Sequence, residues 1–204
     1  MTESDDDARH RAKMAKRKAA QDAEVAGKTI AEKGLLIVHT GPGKGKTTAA
    51  FGLALRALGR GWKVGVVQFI KGAWQTGERF AFERFGEQIV WRTMGEGFTW
   101  ETQDKARDIA MAKAAWEKAK ELIRDPSHSM ILLDEINIAI RYDYIDIAEV
   151  VEFLTNEKPE MTHVVLTGRN AKDELIEIAD LVTEMELIKH PFRSGIKAQI
   201  GVEF

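Results

Sequence analysis

The chain has 204 residues, of which 44% are hydrophobic, and this length and composition predict a single domain with a sizeable buried core. The net charge of −2 gives no basic bias of the kind that nucleic-acid-binding proteins show, so no nucleic-acid partner is expected. The absence of cysteine excludes disulfides, thiolate zinc sites and iron–sulfur clusters, and no apolar run approaches the ~18 residues of a membrane span, so a cytoplasmic protein is expected.

Residues 1–33 are predicted to form a polar N-terminal arm, ahead of a nucleotide-binding domain at residues 34–204. The arm opens with the acids of 5–7 and continues with basic residues and alanines over 9–18. These features argue against a secretory signal or a transit peptide. Alanine, lysine and arginine favour a helix, but without an apolar stripe a solvated, frayed arm is the default. The alternative is an arm that becomes ordered over an acidic or phosphate-bearing ligand.

A glycine-rich stretch stands between the first predicted strand and the first predicted helix. Its sequence is Thr40-Gly41-Pro42-Gly43-Lys44-Gly45-Lys46-Thr47-Thr48. The apolar run before it predicts a strand over 34–40, and the alanine- and leucine-rich run after it predicts a helix over 46–58. Strand, glycine-rich turn and helix are the setting in which a phosphate-binding loop works.

This loop offers a nucleotide triphosphate several kinds of contact. Glycines let the backbone curl so that several N–H groups point at one anion, and the positive end of the next helix lies behind that anion. Lys46 can neutralise phosphate charge, and Thr47 offers a hydroxyl to a magnesium ion. The nucleotide-binding candidates here are Gly41, Gly43, Lys44, Gly45, Lys46, Thr47 and Thr48. The pattern G-x-x-x-x-G-K-[ST] requires its first glycine at position 40, where this chain has Thr40 and places Gly41 one residue late.

Strands and helices alternate along the rest of the chain. Further strands are predicted at 64–70, 88–94, 129–135, 162–167, 181–188 and 196–202, and further helices at 102–124, 147–155 and 171–179. The strands are continuous apolar runs, which favours a mostly parallel sheet with helices on both faces. The predicted fold is therefore a three-layer α/β fold of the P-loop NTPase (RecA-like) class.

Two acids, Asp134 and Glu135, close the apolar run that begins at Ser129. An apolar strand ending in Asp-Glu downstream of a phosphate loop is the Walker B arrangement, which brings a carboxylate to the metal held by Thr47 and the phosphates. Surface acids at a strand end are the alternative. The spacing leaves open which of the two acids touches the metal.

Two aromatic residues and one arginine each allow two interpretations. Phe98 and Trp100 stand in a loop beside glycines, where packing against the next helix is the default and an aromatic surface for a flat ligand is the alternative. Arg169 follows a predicted strand and could contact a phosphate or pair with a surface acid. It is counted as a nucleotide-binding candidate.

Taken together, these motifs resemble those of one family. They are Gly-x-Gly-Lys-Gly-Lys-Thr-Thr-Ala-Ala-Phe-Gly at 41–52, Val-Gly-Val-Val-Gln-Phe-Ile-Lys-Gly at 64–72, Gly-Glu-Arg at 77–79, Gly-Phe-Thr-Trp at 97–100, Leu-Leu-Asp-Glu at 132–135, Tyr-Asp-Tyr at 142–144, Thr-Gly-Arg at 167–169 and Lys-His-x-Phe…Gly-x-Lys-Ala-Gln-x-Gly at 189–201. Over residues 30–204 the chain resembles the P-loop type of ATP:corrinoid (cob(I)alamin) adenosyltransferase. The late Gly41 is part of that family's loop, whereas Pro42 stands where a polar residue, often asparagine, is expected.

The resemblance implies an activity and a site. The enzyme would transfer the 5′-deoxyadenosyl group of ATP to the cobalt(I) of a reduced corrinoid and release triphosphate. It implies catalytic roles for Lys46, Phe98 and Trp100, with the two aromatics displacing the lower axial ligand of the corrinoid. It implies a Mg²⁺ or Mn²⁺ ion held by Thr47 with Glu135 or Asp134.

The resemblance also implies partners. The corrinoid would be cobalamin, cobinamide or cobyrinic acid a,c-diamide, and a flavin-type reductase would supply electrons. A homodimer is implied, with the arm closing over the corrinoid of the neighbouring subunit. The competing hypotheses are a P-loop kinase or RecA-like ATPase and a nucleotide-regulated corrinoid carrier.

Overall fold

The computed structural model describes residues 5–29, 32–70, 76–94 and 104–203, and its contacts divide the chain into two units, with the division after Lys33. The first unit contains helix α1, Asp5–Ala26. Its first-turn acids complement the positive end of the helix dipole, and its alanines and long basic side chains favour the helical backbone. No residue of α1 is buried, as expected for a helix that lacks an apolar stripe.

The second unit is built around one six-stranded sheet. Its strands are β1 (Leu36–Thr40), β2 (Val64–Gln68), β3 (Ile89–Thr93), β4 (Met130–Asp134), β5 (His163–Thr167) and β6 (Leu181–Glu184). They lie in the order β3-β2-β4-β5-β1-β6, and every neighbouring pair is parallel. The predicted parallel α/β sheet is confirmed. Because the strands are parallel, their carboxyl ends meet at one edge, where ligands of such sheets bind.

Helices cover both faces of this sheet. They are α2 (Lys46–Leu58), α3 (Gly77–Phe82), α4 (Lys105–Arg124), α5 (Ile136–Arg141), α6 (Ile147–Asn156) and α7 (Asp173–Ile178), with 3-10 turns at Glu83–Gln88 and Pro191–Ser194. In β4, Met130 and Leu132 pack with α2 and α3, whereas Ile131 and Leu133 pack with the four later helices. Strands buried on both faces need apolar side chains at nearly every position, which explains the continuous apolar runs. Within the described part of the chain, none of the helices is long and apolar enough to cross a membrane.

The predicted strand at 196–202 is wrong, and the one at 181–188 is too long. Strand β6 ends at Glu184. The N–H of Met185 still donates to Thr40 of β1, but its carbonyl accepts the N–H of Gly43 in the loop beyond β1. Beyond it the chain forms the 3-10 turn at 191–194, and Ile196, Ile200 and Val202 lie exposed. Their apolar alternation predicts a strand, but none of the described strands pairs with them.

Lys158 closes the opposite, amino-terminal edge of the sheet. Its Nζ donates to the backbone carbonyls of Gly34 (2.9 Å), Pro159 (3.1 Å) and Thr162 (3.0 Å). We expect Lys158→Met to lower the free energy of unfolding by about 1–3 kcal/mol, because partly buried carbonyls lose a charged donor. Urea unfolding measures this loss. Lys118→Met is the control, since Lys118 has an exposed ion pair with Glu121 and should change stability by less than about 0.5 kcal/mol. Equal losses in both variants would contradict the role of Lys158.

Candidate functional site

The glycine-rich loop leaves β1 at the carboxyl edge of the sheet and turns directly into α2. Gly41 and Gly45 have φ angles of 94° and 104°, a left-handed conformation that glycine adopts without strain. The segment after β6 forms a wall behind the loop, where Gly43 N–H donates to Met185 O at 2.6 Å. A Cβ atom on Gly41 or Gly43 would lie 2.5 Å from a backbone oxygen of Met185 or Glu186. The wall therefore requires glycine at both positions.

Lys46, the first residue of α2, folds back over the loop that precedes it. Its Nζ donates to the carbonyl oxygen of Gly41 at 2.9 Å and also to that of Gly43. Burial lowers the pKa of Lys46, the charge of Glu135 opposes that shift, and the charges of Arg169 and Lys44 add to it. The ammonium is thus held at the positive end of α2, where an anion would be stabilised by both charges.

A row of polar side chains crosses the carboxyl edge of the sheet beneath α2. By strand register, Thr93, Gln68, Asp134 and Thr167 stand side by side on β3, β2, β4 and β5. Asp134 is fully buried and lies at the centre of the row. Its Oδ1 accepts hydrogen bonds from the hydroxyls of Thr47 (2.8 Å) and Thr167 (2.9 Å), and its Oδ2 accepts one from Nε2 of Gln68 (3.0 Å). A buried carboxylate needs such partners, because burial without them costs several kcal/mol.

Glu135 follows the row and turns the chain out of the sheet. It has a left-handed φ of 63°, and its N–H donates to Oγ1 of Thr167 at 2.9 Å. Gly168 lies against it, since a Cβ atom on Gly168 would be 3.2 Å from Glu135 Oε2. Asn137 ties the two turns together by donating to the Gly168 carbonyl at 3.0 Å. The half-buried Glu135 carboxylate therefore stands near Lys46, whereas Asp134 stays beneath it.

The protein donors here are oxygen atoms. Among the described residues, no cluster of three or more histidine, aspartate and glutamate side chains is arranged for a metal ion. Mg²⁺ does not need such a cage, since it is usually held by one or two carboxylates together with substrate phosphates and water. The hydroxyl of Thr47 and the carboxylate of Glu135 fit that donor set.

The other candidates fall into three groups. Arg169 follows β5, is exposed and is close enough to affect the Lys46 charge, and Thr48 is exposed in the first turn of α2. Lys44 forms an ion pair with Glu203. Phe98 and Trp100 lie outside the described residues, so their positions remain expectations.

Two residues of this site are not among the sequence-based candidates. Gln68 and Thr167 both bond to Asp134. Each is the single polar residue that closes an apolar strand, and this is the signal that could have identified them. The sequence does not show which strands are neighbours, so it could not show that both side chains reach the same carboxylate.

His39 lies in β1 just before the loop, and its side chain is buried. Burial lowers the pKa of His39, and likewise of His128 and His163, below the ordinary value of 6.5, although Asp125 opposes the shift at His128. The folded state therefore binds fewer protons than the unfolded state below pH 6.5. We expect the free energy of unfolding to fall as the pH falls from 7.5 to 5.5, by up to about 1.4 kcal/mol per pH unit for each histidine.

Urea unfolding across this pH range measures the effect. His39→Leu should make the decline shallower, because one of the three contributing groups is removed. A slope that is unchanged in His39→Leu would contradict the neutral, buried state of this histidine.

Comparison with known proteins gives consistent matches over both units. Residues 32–204 match the family described as ATP:corrinoid adenosyltransferase BtuR/CobO/CobP, and residues 1–25 match the cob(I)alamin adenosyltransferase N-terminal family. A corrinoid adenosyltransferase of Sinorhizobium sp is 70% identical over 98% of this chain and 93% of its own length. Proteins of the same name from Pseudomonas aeruginosa and Escherichia coli K12 are 53% and 46% identical, each over 97% of this chain and over 97% and 99% of their own lengths.

Proposed function

Because this chain belongs to the ATP:corrinoid adenosyltransferase family, it is an enzyme that adenosylates a corrinoid at the expense of ATP, and we propose that its acceptor is cobalt(I) and its leaving group triphosphate. The observation that carries this proposal is the loop over which Lys46 is folded. The ammonium bonds to the carbonyls of Gly41 and Gly43 and stands at the start of α2, so two positive charges face the same loop. Such a site suits a departing polyphosphate.

The reaction needs no general base in this mechanism. Cobalt(I) supplies both electrons of the new bond from cobalt to the 5′ carbon. The bond between that carbon and its oxygen breaks, and its electron pair leaves with triphosphate. The enzyme has to align the 5′ carbon with cobalt and stabilise the charge that develops on the leaving oxygen. Lys46 and the loop N–H groups perform the second task.

The remaining nucleotide contacts follow from the loop geometry. Gly41, Gly45 and the first turn of α2 at Thr48 would supply N–H groups, and Lys44 and Arg169 would supply charge at the rim. Gly43, whose N–H donates to Met185 O, contributes by letting the loop pass close to its wall. The ion pair between Lys44 and Glu203 has to open if Lys44 is to reach a phosphate.

Thr47 and Glu135 are the proposed ligands of Mg²⁺ or Mn²⁺, which when bound would neutralise charge on the triphosphate. Asp134 is fully buried and already accepts three hydrogen bonds, from Thr47, Thr167 and Gln68. It is therefore better suited to orient Thr47 than to reach the metal itself. Glu135 is only half-buried and lies near Lys46, which supports a direct role.

Phe98 and Trp100 are proposed to lie against the corrinoid and displace its lower axial ligand. The family resemblance supports this role. The proposal extends to a homodimer in the cytoplasm, a flavin-type reductase and an N-terminal arm that covers the corrinoid. Cobalamin, cobinamide and cobyrinic acid a,c-diamide are the corrinoids to compare.

The double variant Phe98→Ala, Trp100→Ala separates ligand displacement from catalysis in general. Displacement of the lower axial ligand leaves four-coordinate cobalt(II), which is easier to reduce to cobalt(I). Without the two aromatic side chains, activity should therefore fall at least about tenfold more with enzymatically reduced corrinoid than with chemically prepared cobalt(I). Parallel assays with the two forms measure the difference. Equal losses in both would contradict ligand displacement.

The direct test incubates the protein with ATP, Mg²⁺ and chemically reduced cobalamin. The corrinoid spectrum should change to that of adenosylcobalamin, and phosphate analysis should find triphosphate in equal amount. ADP with an unchanged corrinoid spectrum would instead indicate a kinase or ATPase. Bound corrinoid that stays unchanged, with intact ATP, would indicate a carrier.

A further inference from the structure

Gln68 is a buried polar residue at the end of an otherwise apolar strand, with 5% of its surface exposed. Both ends of its side-chain amide have partners. Nε2 donates to Oδ2 of Asp134 at 3.0 Å, and Oε1 accepts the indole N–H of Trp91 (3.1 Å) and the hydroxyl of Thr93 (3.2 Å). The amide thus joins the edge strand β3 to the carboxylate at the centre of the polar row.

The partners determine which way this amide points. The indole nitrogen of Trp91 can only donate, so it must meet the oxygen of Gln68, and the NH₂ group then faces Asp134. Trp91 is itself fixed by stacking on Phe51, with ring centroids 5.2 Å apart. If the amide were flipped, its oxygen would face the oxygen Oδ2 of Asp134 and its NH₂ group would face the indole N–H of Trp91. Both contacts would be repulsive. One orientation is therefore strongly preferred.

The fixed amide also determines how Asp134 treats Thr47. With Oδ2 held by Gln68, Oδ1 accepts the protons of Thr47 and Thr167. A hydroxyl has one proton, so Thr47 must then turn its lone pairs away from Asp134. Those lone pairs are what a metal ion requires of this residue.

We infer that Gln68 is a positioning residue which, through Asp134, orients the Thr47 hydroxyl toward the divalent metal of the bound nucleotide. This inference rests on the proposed function, because it assumes that a metal–ATP complex binds at the loop. It gives β2, which pairs with β4, a role in the nucleotide site. Through Trp91 and Thr93 it extends that role to the edge strand β3.

The test compares ATP binding by calorimetry in Mg²⁺ and in EDTA. We expect Gln68→Leu to reduce the Mg²⁺-dependent gain in affinity by about tenfold, the loss of one hydrogen bond to a charged group. Affinity in EDTA should stay within about twofold of the wild type. The KM for corrinoid should be unchanged while kcat falls, since corrinoid contacts are not involved. A merely structural role would weaken binding under both conditions.

Trp91→Phe is the second variant, because it keeps an aromatic ring beside Phe51 and removes only the indole N–H. It should reduce ATP affinity in Mg²⁺ by less than Gln68→Leu does. The double variant should bind ATP no more weakly than Gln68→Leu alone. Trp116→Phe is the matched control, since Trp116 is also buried but donates to Glu149 on the other face of the sheet. It should lower stability without changing the effect of Mg²⁺.

The outcomes separate this inference from the proposed function. A wild-type protein that binds ATP no better in Mg²⁺ than in EDTA would overturn both the metal site and the inference. If Gln68→Leu and Trp91→Phe keep the wild-type increase in ATP affinity from EDTA to Mg²⁺, the inference is overturned but the metal site is not. If Gln68→Leu does not fold, an unchanged gain in Trp91→Phe still overturns it.

Discussion

Replacing Lys46 with methionine is expected to slow adenosyl transfer by about 10²–10³-fold, the usual effect of removing one preorganised charge from a developing anion. Lys46 bonds to the carbonyls of Gly41 and Gly43, so its ammonium lies over the glycine-rich loop, where we propose that the triphosphate binds. Methionine keeps the length and apolar packing of the side chain. The rate of adenosylcobalamin formation at saturating ATP measures the effect.

The same substitution has two opposing effects on stability. Burial lowers the pKa of Lys46, which means that the folded state disfavours its charge, whereas the carbonyls of Gly41 and Gly43 lose their donor. We therefore expect the free energy of unfolding to change less than in Lys158→Met, where three carbonyls lose a charged donor. Lys44→Met is the matched control, because Lys44 is more exposed and pairs with Glu203. A Lys46→Met rate no lower than that of Lys44→Met would contradict the catalytic role of Lys46.

Gly41→Ala is expected to weaken ATP binding by about 10–100-fold. The residue has a left-handed φ of 94°, and a Cβ atom there would lie 2.5 Å from the Met185 carbonyl. Backbone strain of this kind costs roughly 1–3 kcal/mol, so the loop must move away from Met185 and Glu186. Its N–H groups would then no longer point at the same phosphate. ATP titration by calorimetry measures the loss.

Gly52→Ala supplies the control for glycine replacement in general. Gly52 is exposed within α2, and a Cβ atom there would meet no atom within 4 Å apart from the nearby backbone of its own helix. Alanine should stabilise the helix by about 0.5–1 kcal/mol and leave ATP affinity unchanged. If Gly41→Ala also left ATP affinity unchanged, the loop would not depend on its wall.

Local sequence signals predicted well the strand and helix bounds around the glycine-rich loop. The glycines and the alanine-rich run that follows them predict a loop and a helix over 46–58, and α2 has those bounds. The apolar run ending in Asp134 predicts a buried strand whose acids lie at the carboxyl edge, and β4 ends there. Both predictions succeed because loop conformation and strand burial depend on neighbouring residues along the chain.

Features that depend on distant contacts could not be predicted in the same way. Strand β6 ends where the carbonyl of Met185 accepts the N–H of Gly43 in the loop, a contact that the local apolar pattern cannot reveal. The roles of Gln68 and Thr167 depend on strand order, and strand order is a property of the whole sheet. The helix at 136–141 begins at the left-handed turn of Glu135, for which glutamate gives no local signal.

The wall behind the phosphate loop also has a consequence for the order in which the protein matures during synthesis. The loop leaves the ribosome before Met185 and Glu186, which form the wall behind it. The five strands β1–β5 can meet before that wall exists, since domains begin to fold as they emerge. Tight nucleotide binding is therefore expected only after the segment that follows β6 has closed behind the loop.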